Sequence, residues 1–358
     1  MSIVIFIIIL SALIVVHELG HFLVAKRFGI RVDEFGLGFP PRARKLFIWK
    51  DTPFTLNWLP FGGFVKIFGE NPAEKNEILA SDNFQSKHRG IQASVLAAGV
   101  VGNFLFAWFL ISLGFVTGLP APESLSLPIE NVRTVITTVL PISPAFSAGI
   151  KSGDAVVSLS RNGINALLSP EEISNFIAQS LEPIIFEVER GGQVSKKTVV
   201  PENGIVPDRP AVGISMDAIG IVKLSPPKAI WYGLKTTSEL TFLTSQAIGA
   251  FILDALGGRA DFSSVTGPVG IVGMVGDMRE LGFAYLLTFT ALLSINLTVI
   301  NLLPLPAIDG GRLLVVGIES VSRRSIPPRI FNLLNTIGFA LLIILMLVIT
   351  AQDVRHLF

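Results

Sequence analysis

The sequence predicts a polytopic α-helical membrane protein: four transmembrane helices with a small membrane-associated β-sheet and an inserted α+β domain. Three observations predict it. Half of the 358 residues are hydrophobic and only 15% are charged, and the mean hydropathy of +0.64 is too high for an ordinary soluble domain. Four apolar runs each approach or exceed the roughly 20 residues that a span needs. Between the second and the third lies a long segment, 118–280, polar enough to be globular. The net charge of +1 argues against nucleic acid as a partner. Cysteine is absent, so there is no disulfide, and any metal must be held by His, Asp, Glu or Asn.

The first run, within 1–26, carries Val15-Val16-His17-Glu18-Leu19-Gly20-His21-Phe22. On a helix, residues four apart project from one face a turn apart, so His17 and His21 can grip one zinc ion while Glu18 takes a proton from metal-bound water. These are two of only four histidines in the chain. A polar group set in lipid-thick sequence costs roughly 2.5–3.5 kcal/mol without a partner, which favours a site over a chance pattern. A signal peptide is the competing reading of this run. It fits poorly, because Met1-Ser2-Ile3 offers no basic region and Lys26-Arg27 follows the apolar residues, so the run reads as a retained span.

Residues 27–91 read as β-rich, with Gly36 and Gly38 in one strand-like stretch and Gly62 and Gly63 in another. They form either a small sheet lying on the membrane or an exposed strand edge beside the metal, around Phe35–Phe39 or Phe61–Val65, onto which an unwound peptide adds as a further strand. The span 92–117 places Gly99, Gly102 and Asn103 on one face, which reads as close helix packing in lipid. In the segment 118–225, Ser143 to Leu159 runs as a Pro-Ala turn, a short helix, an Ala-Gly stop, a Gly-Asp turn and an alternating strand; it resembles the core of a PDZ domain, placed at about 130–218. Residues 226–280 contain a semi-apolar helix, Lys228 to Leu256, whose Lys235, Glu239 and Asp254 favour the membrane interface over a fifth span. The third span is 281–305, a loop covers 306–330, and the fourth span is 331–351.

Basic residues are dense in 27–91 and sparse along 118–280, so the first loop faces the cytoplasm, and both termini and the PDZ-like segment lie outside. Spans one and three then both run inward, which brings His17, His21 and Asp309 to the cytoplasmic side. Asp309, an acid just past a Pro-x-Pro break and followed by Gly310-Gly311, is the best third ligand; the simpler role for it is to cap the next helix. Asn296 and Asn301, read as buried amides, could bind an unwound substrate backbone or a developing oxyanion, or could serve helix packing.

Together, the HELGH span, the loop Phe35-Gly36-Leu37-Gly38-Phe39, the helix Ala98-Gly99-x-x-x-Asn103, the PDZ-like insert and Asn301-x-x-Pro304-x-Pro306-x-x-Asp309-Gly310 resemble the site-2 protease family of intramembrane zinc metalloproteases, most of all its bacterial RseP-type branch. The resemblance implies a zinc metalloendopeptidase of the inner membrane with one Zn²⁺ per chain, held by His17, His21 and Asp309, with Glu18 as general base and Asn301 contacting substrate. It also implies single-pass transmembrane substrates, such as anti-sigma factors or signal-peptide remnants, trimmed first by another protease, with membrane lipid as surroundings. Val100 stands where the family's helix has proline, Ile308 replaces its usual leucine, and there is room for one PDZ unit where some relatives carry two. Two alternatives stand beside this one: an inactive membrane scaffold that presents the PDZ module, and a zinc enzyme acting on a soluble or lipid substrate.

Overall fold

The computed structural model of the protein describes residues 1–70, 80–122, 128–207, 209–259, 265–324 and 326–357. Part of the expected β-rich stretch, 71–79, lies outside them. Contacts divide the chain into two units: one holds residues 1–111, 230–276 and 289–358, the other residues 112–229 and 277–288.

In the first unit, helix α1 (Ser2–Arg27) is largely apolar on all sides apart from its His17, Glu18 and His21, with no polar face of the kind a helix at a water boundary carries. Strands β1 (Val32–Trp49) and β2 (Thr52–Ile67) follow and pair antiparallel. Both strands bend, and their register wraps back on itself. Phe35 faces both Val65 and Phe54, Gly36 both Phe64 and Thr55, and Leu37 both Gly63 and Leu56, while Arg44, Lys45 and Phe47 pair with the outer side of residues 54–56. The order across the sheet is therefore residues 63–67, 32–37, 52–57 and then 42–49. This narrows the sequence expectation, because Phe35–Leu37 is an inner strand with both sides paired, whereas Gly63–Ile67 has a partner on one side only among the described residues.

Helix α2 (Arg89–Thr117) packs tightly on α1. A Cβ at Gly20 would stand 2.2 Å from the Ala98 carbonyl oxygen, so the crossing needs glycine there. A buried cluster of Phe22, Ala25, Ile30, Val32, Phe35, Phe54, Val95 and Leu96 ties α1, the sheet and α2 together below the histidines. Val316 joins that cluster from a later helix and fixes where the far end of the chain returns.

The second unit is built on an antiparallel sheet. Its strands are β3 (Leu119–Pro122), β4 (Ile129–Val139), β5 (Ala155–Arg161), β6 (Ile164–Asn165), β7 (Ile184–Arg190), β8 (Gln193–Val199) and, beyond the separate hairpin of β9 (Glu202–Val206) and β10 (Arg209–Ala211), β11 (Ile214–Val222). The order is β3-β11-β4-β5-β7-β8, with β6 on β5. Two short helices, α3 (Pro144–Ser147) and α4 (Pro170–Ala178), accompany it, and Ile136, Leu159, Ile173, Phe186 and Val188 form its core. The pieces read from Ser143 to Leu159 occur in that order. The Ser143 hydroxyl accepts from the Phe146 amide to start α3, Gly149 and Gly153 take positive φ at the turns, and buried Asp154 is paired with Arg190.

The remaining helices are α5 (Pro226–Leu256), α6 (Pro268–Leu281), α7 (Phe283–Leu302), α8 (Asp309–Ser322) and α9 (Pro328–Leu357). Among the described residues, five helices are long and apolar enough to cross a membrane, where the sequence reading has four spans. The additional one is α5, whose most apolar window has a mean hydropathy of 1.2 against 1.9–2.7 for the other four. The stretch 306–330, expected as a loop, contains the 14-residue helix α8. Helix α6 falls within 226–280, which the sequence assigns to an interfacial region. The Asp353 carboxylate of α9 accepts from the Gly267 and Gly270 amides at its start.

Candidate metal centre

Helix α1 sets His17 and His21 on one face, with their rings edge to face and centroids 4.8 Å apart. The third group arrives from the opposite end of the chain. After α7 the backbone turns through Pro304-Leu305-Pro306, Ala307 takes a positive φ of 75°, and its amide donates to the Asn335 side-chain oxygen of α9. Helix α8 then begins with Asp309. Its N-cap is Ile308, with no side chain capping it, so the Asp309 carboxylate is not used as a helix cap. It points at the histidines instead: Oδ2 lies 3.0 Å from His17 Nε2 and 3.3 Å from His21 Nε2, and the two Nε2 atoms are 3.2 Å apart.

Glycines make this approach possible. A Cβ at Gly310 would lie 2.1 Å from the Leu303 carbonyl oxygen, and one at Gly311 2.0 Å from that of Leu305, so the first turn of α8 folds directly onto the preceding chain. On the other side, Gly99 of α2 faces the histidines, where a Cβ would stand 2.3 Å from His21 Nε2 and 2.6 Å from His17 Cε1. The sequence reading assigned Gly99 and Asn103 to helix packing. Their four-residue spacing was the available signal for one face, but nothing in it shows that this face looks onto the histidines.

The donor set fits a zinc ion. Two imidazole nitrogens and one carboxylate oxygen are zinc's preferred ligand types where thiolate is absent, and three atoms about 3 Å apart are spaced as neighbouring corners of a tetrahedron around an ion about 2.0–2.1 Å from each. Asp309 Oδ2 is buried and, among the described residues, has no hydrogen-bond partner apart from the two imidazole nitrogens, so its charge is left for a cation. His21 Nδ1 donates to the Val95 carbonyl at 2.8 Å, which leaves the lone pair on Nε2, facing the other two donors. His17, His21 and Asp309 thus form a cluster able to coordinate one metal ion. Burial pushes the Asp309 carboxyl up, and the two imidazoles outweigh it, holding the group below the ordinary carboxylate range.

The other sequence candidates fall at different distances from this centre. Glu18 is half-buried on α1, with His21, His17, Asp309 and Glu70 as its charged neighbours. Gly62 and Gly63 lie against Ile14 of α1, a turn before His17, and a Cβ on Gly62 would stand 3.1 Å from the Ile14 side chain. Gly36 sits inside the sheet, under the Phe64 ring. Gly38 takes a positive φ beside Leu59, and its carbonyl accepts from the Asn57 amide. Asn301 is half-buried in the last turn of α7. Asn296, expected to be buried, is exposed: it lies on the face of α7 opposite the buried Ser294 and Thr298. Sequence reasoning also missed Glu70. Burial pushes its carboxyl above the usual range against the pull of Arg312, to which it is paired, and this pair ties α8 to the end of the sheet.

Comparison with known proteins agrees with this geometry. The profile described as peptidase family M50 matches residues 5–345. Zinc metalloprotease RasP of Geobacillus kaustophilus is 29% identical, with 100% of this chain and 98% of that protein aligned. A putative zinc metalloprotease of Clostridium perfringens is 35% identical over 96% of both chains. Another, from Nostoc, is 32% identical over 100% of this chain and 97% of its own length.

Proposed function

The chain belongs to peptidase family M50, and from that premise we propose that this zinc metalloendopeptidase cuts single-pass membrane proteins within their spans, after another protease has trimmed them. The observation that carries the reading is the convergence of His17 and His21, within the most apolar helix, with Asp309, which opens the helix following another apolar one. A soluble peptide has poor access to such a place, and a transmembrane segment is already there.

His17, His21 and Asp309 are the groups that would hold the ion. Zinc, when bound, supplies a Lewis acid that acidifies water and polarises a peptide carbonyl. Glu18 accepts the proton from the attacking water on a carboxylate oxygen and delivers it to the departing amine nitrogen, so that one C–N bond breaks as one C–O bond forms. A helical substrate hides its carbonyls in i to i+4 bonds and must unwind first. The one-sided strand Gly63–Ile67, beside Ile14 and Val15, is the edge to which the unwound segment adds. Asn301, near the start of the turn to Asp309, contacts the same segment.

On this reading the chain is an RseP-type enzyme of a bacterial inner membrane, with α1, α2, α7 and α9 as spans and α5 at the interface. Both termini and the PDZ-like unit lie outside and the metal centre toward the cytoplasm, an orientation that the distribution of basic residues supports. The test is cleavage of a tagged single-pass substrate by purified protein in detergent. Glu18→Gln is expected to slow cleavage by about 10²–10⁴-fold while keeping stoichiometric zinc, and a chelator is expected to abolish it. Zinc bound without cleavage of any span would move the scaffold reading to first place.

A further inference from the structure

His21 has a fixed support in the Val95 carbonyl, but His17 must find one elsewhere. The group at its Nδ1 is the Asn103 carboxamide on α2, whose Nδ2 lies 3.3 Å away. Asn103 is fully buried, and its Oδ1 has no hydrogen-bond partner among the described residues. Its backbone is held as well, because the Ser294 hydroxyl of α7 donates to the Asn103 carbonyl at 2.8 Å. A buried amide oxygen left unpaired is costly, so a buried carboxamide with an unsatisfied oxygen beside a candidate ligand calls for an explanation.

The ring chemistry supplies one. Ligation through His17 Nε2 needs the lone pair on that nitrogen, so the ring proton must sit on Nδ1. Nδ1–H then needs an acceptor, and a half-turn of the Asn103 amide presents Oδ1 where Nδ2 now stands. With Nδ2 in that place instead, the imidazole carries its proton on Nε2, toward Asp309 Oδ2, and is the wrong tautomer for a ligand. We infer that Asn103 is a positioning residue for the metal centre: its Oδ1 accepts the Nδ1–H of His17 and selects the metal-binding tautomer. The inference rests on the metal centre proposed above and adds to it the outer group that tunes it.

The test is metal affinity, read without turnover. Detergent-purified wild type, Asn103→Leu, Asn103→Ala and Asn103→Asp are stripped with a chelator and titrated with Zn²⁺ against a chromophoric competitor; Co²⁺ loading reports the ligand set by its d–d bands. Removing an outer-shell partner typically weakens a metal site about 10–100-fold. That loss is expected for Leu and Ala, while Asp, which keeps an acceptor, recovers most of it. Wild-type affinity in the Leu and Ala variants, or an Asp variant as weak as they are, overturns the inference. Should the variants fold poorly, ¹⁵N NMR of imidazole-labelled, zinc-loaded wild type supplies the reading: an Nδ1–H on His17 that is protected from solvent exchange by its hydrogen bond is expected, and a bare Nδ1 or a freely exchanging Nδ1–H refutes the inference. A wild type that binds no zinc overturns the metal-centre reading, and this inference with it.

Discussion

At Gly99 a single methyl group decides whether the centre can close. Alanine is the better helix former by about 1 kcal/mol, so Gly99→Ala should leave α2 intact or firmer. Its Cβ, however, would need the space now taken by His21 Nε2 and His17 Cε1, at 2.3 and 2.6 Å, and both are parts of rings with no slack. Zinc affinity is expected to fall by about 100-fold or more, the size of effect that follows from misplacing a reacting group by 1 Å, with unchanged helix content by circular dichroism. A variant that keeps wild-type affinity would show that the rings can retreat. At this scale the sequence was legible where chemistry is written in residue type. The spacing of His17 and His21 and the acid at Asp309 point in sequence to the three groups that the fold brings together. Gly99 and Asn103 were not legible, because a glycine that makes room for an imidazole and one that makes room for a neighbouring helix look the same in one sequence. Asn296 misled for the opposite reason: on α7, apolar nearly all round, periodicity does not say which side faces lipid.

Among the elements, α8 and the bent sheet carry the consequences. Helix α8 was hidden by Gly310-Gly311, poor helix formers that read as loop, although the close approach of Leu303 and Leu305 requires glycine there. Ion pairs then hold it, Arg312 to Glu70 and Arg89 to Glu319, binding Asp309's helix to the sheet and to the start of α2. The doubling back of β1 and β2 was equally illegible, because alternation marks a strand but not which of its edges stays open. That edge makes a prediction. Neighbouring residues in an antiparallel strand point their amides to opposite sides, so of Phe64→Pro and Val65→Pro, one removes only an outward N–H. The variant that keeps the sheet is expected to cut a transmembrane substrate at least about tenfold more slowly, the effect of about 1.4 kcal/mol lost from a hydrogen bond, with zinc content unchanged by atomic absorption. Full cleavage by both variants would rule out strand addition at this edge.

For the whole molecule, the four most apolar helices were evident from hydropathy alone, and α5 shows where that signal stops: length and composition place it among the candidate spans, whereas the sequence reading puts it at the interface on the strength of its charges. Because the donors come from α1 and α8, an ion clamps together the two ends of the sequence. Zinc at about 100 times its dissociation constant should therefore stabilise the fold by about 2.7 kcal/mol, seen as a higher unfolding temperature in detergent. The shift should persist in Glu18→Gln and vanish in Asp309→Ala; its survival in Asp309→Ala would remove that residue from the ligand set. The same arrangement has a consequence in time. The histidines leave the ribosome nearly 290 residues ahead of Asp309, and at about 5–20 residues per second that interval is roughly 15–60 s. Through all of it the nascent chain holds only two of the three donors, so a centre that needs all three cannot form before residue 309 has emerged, and the order of synthesis itself delays the assembly of the site.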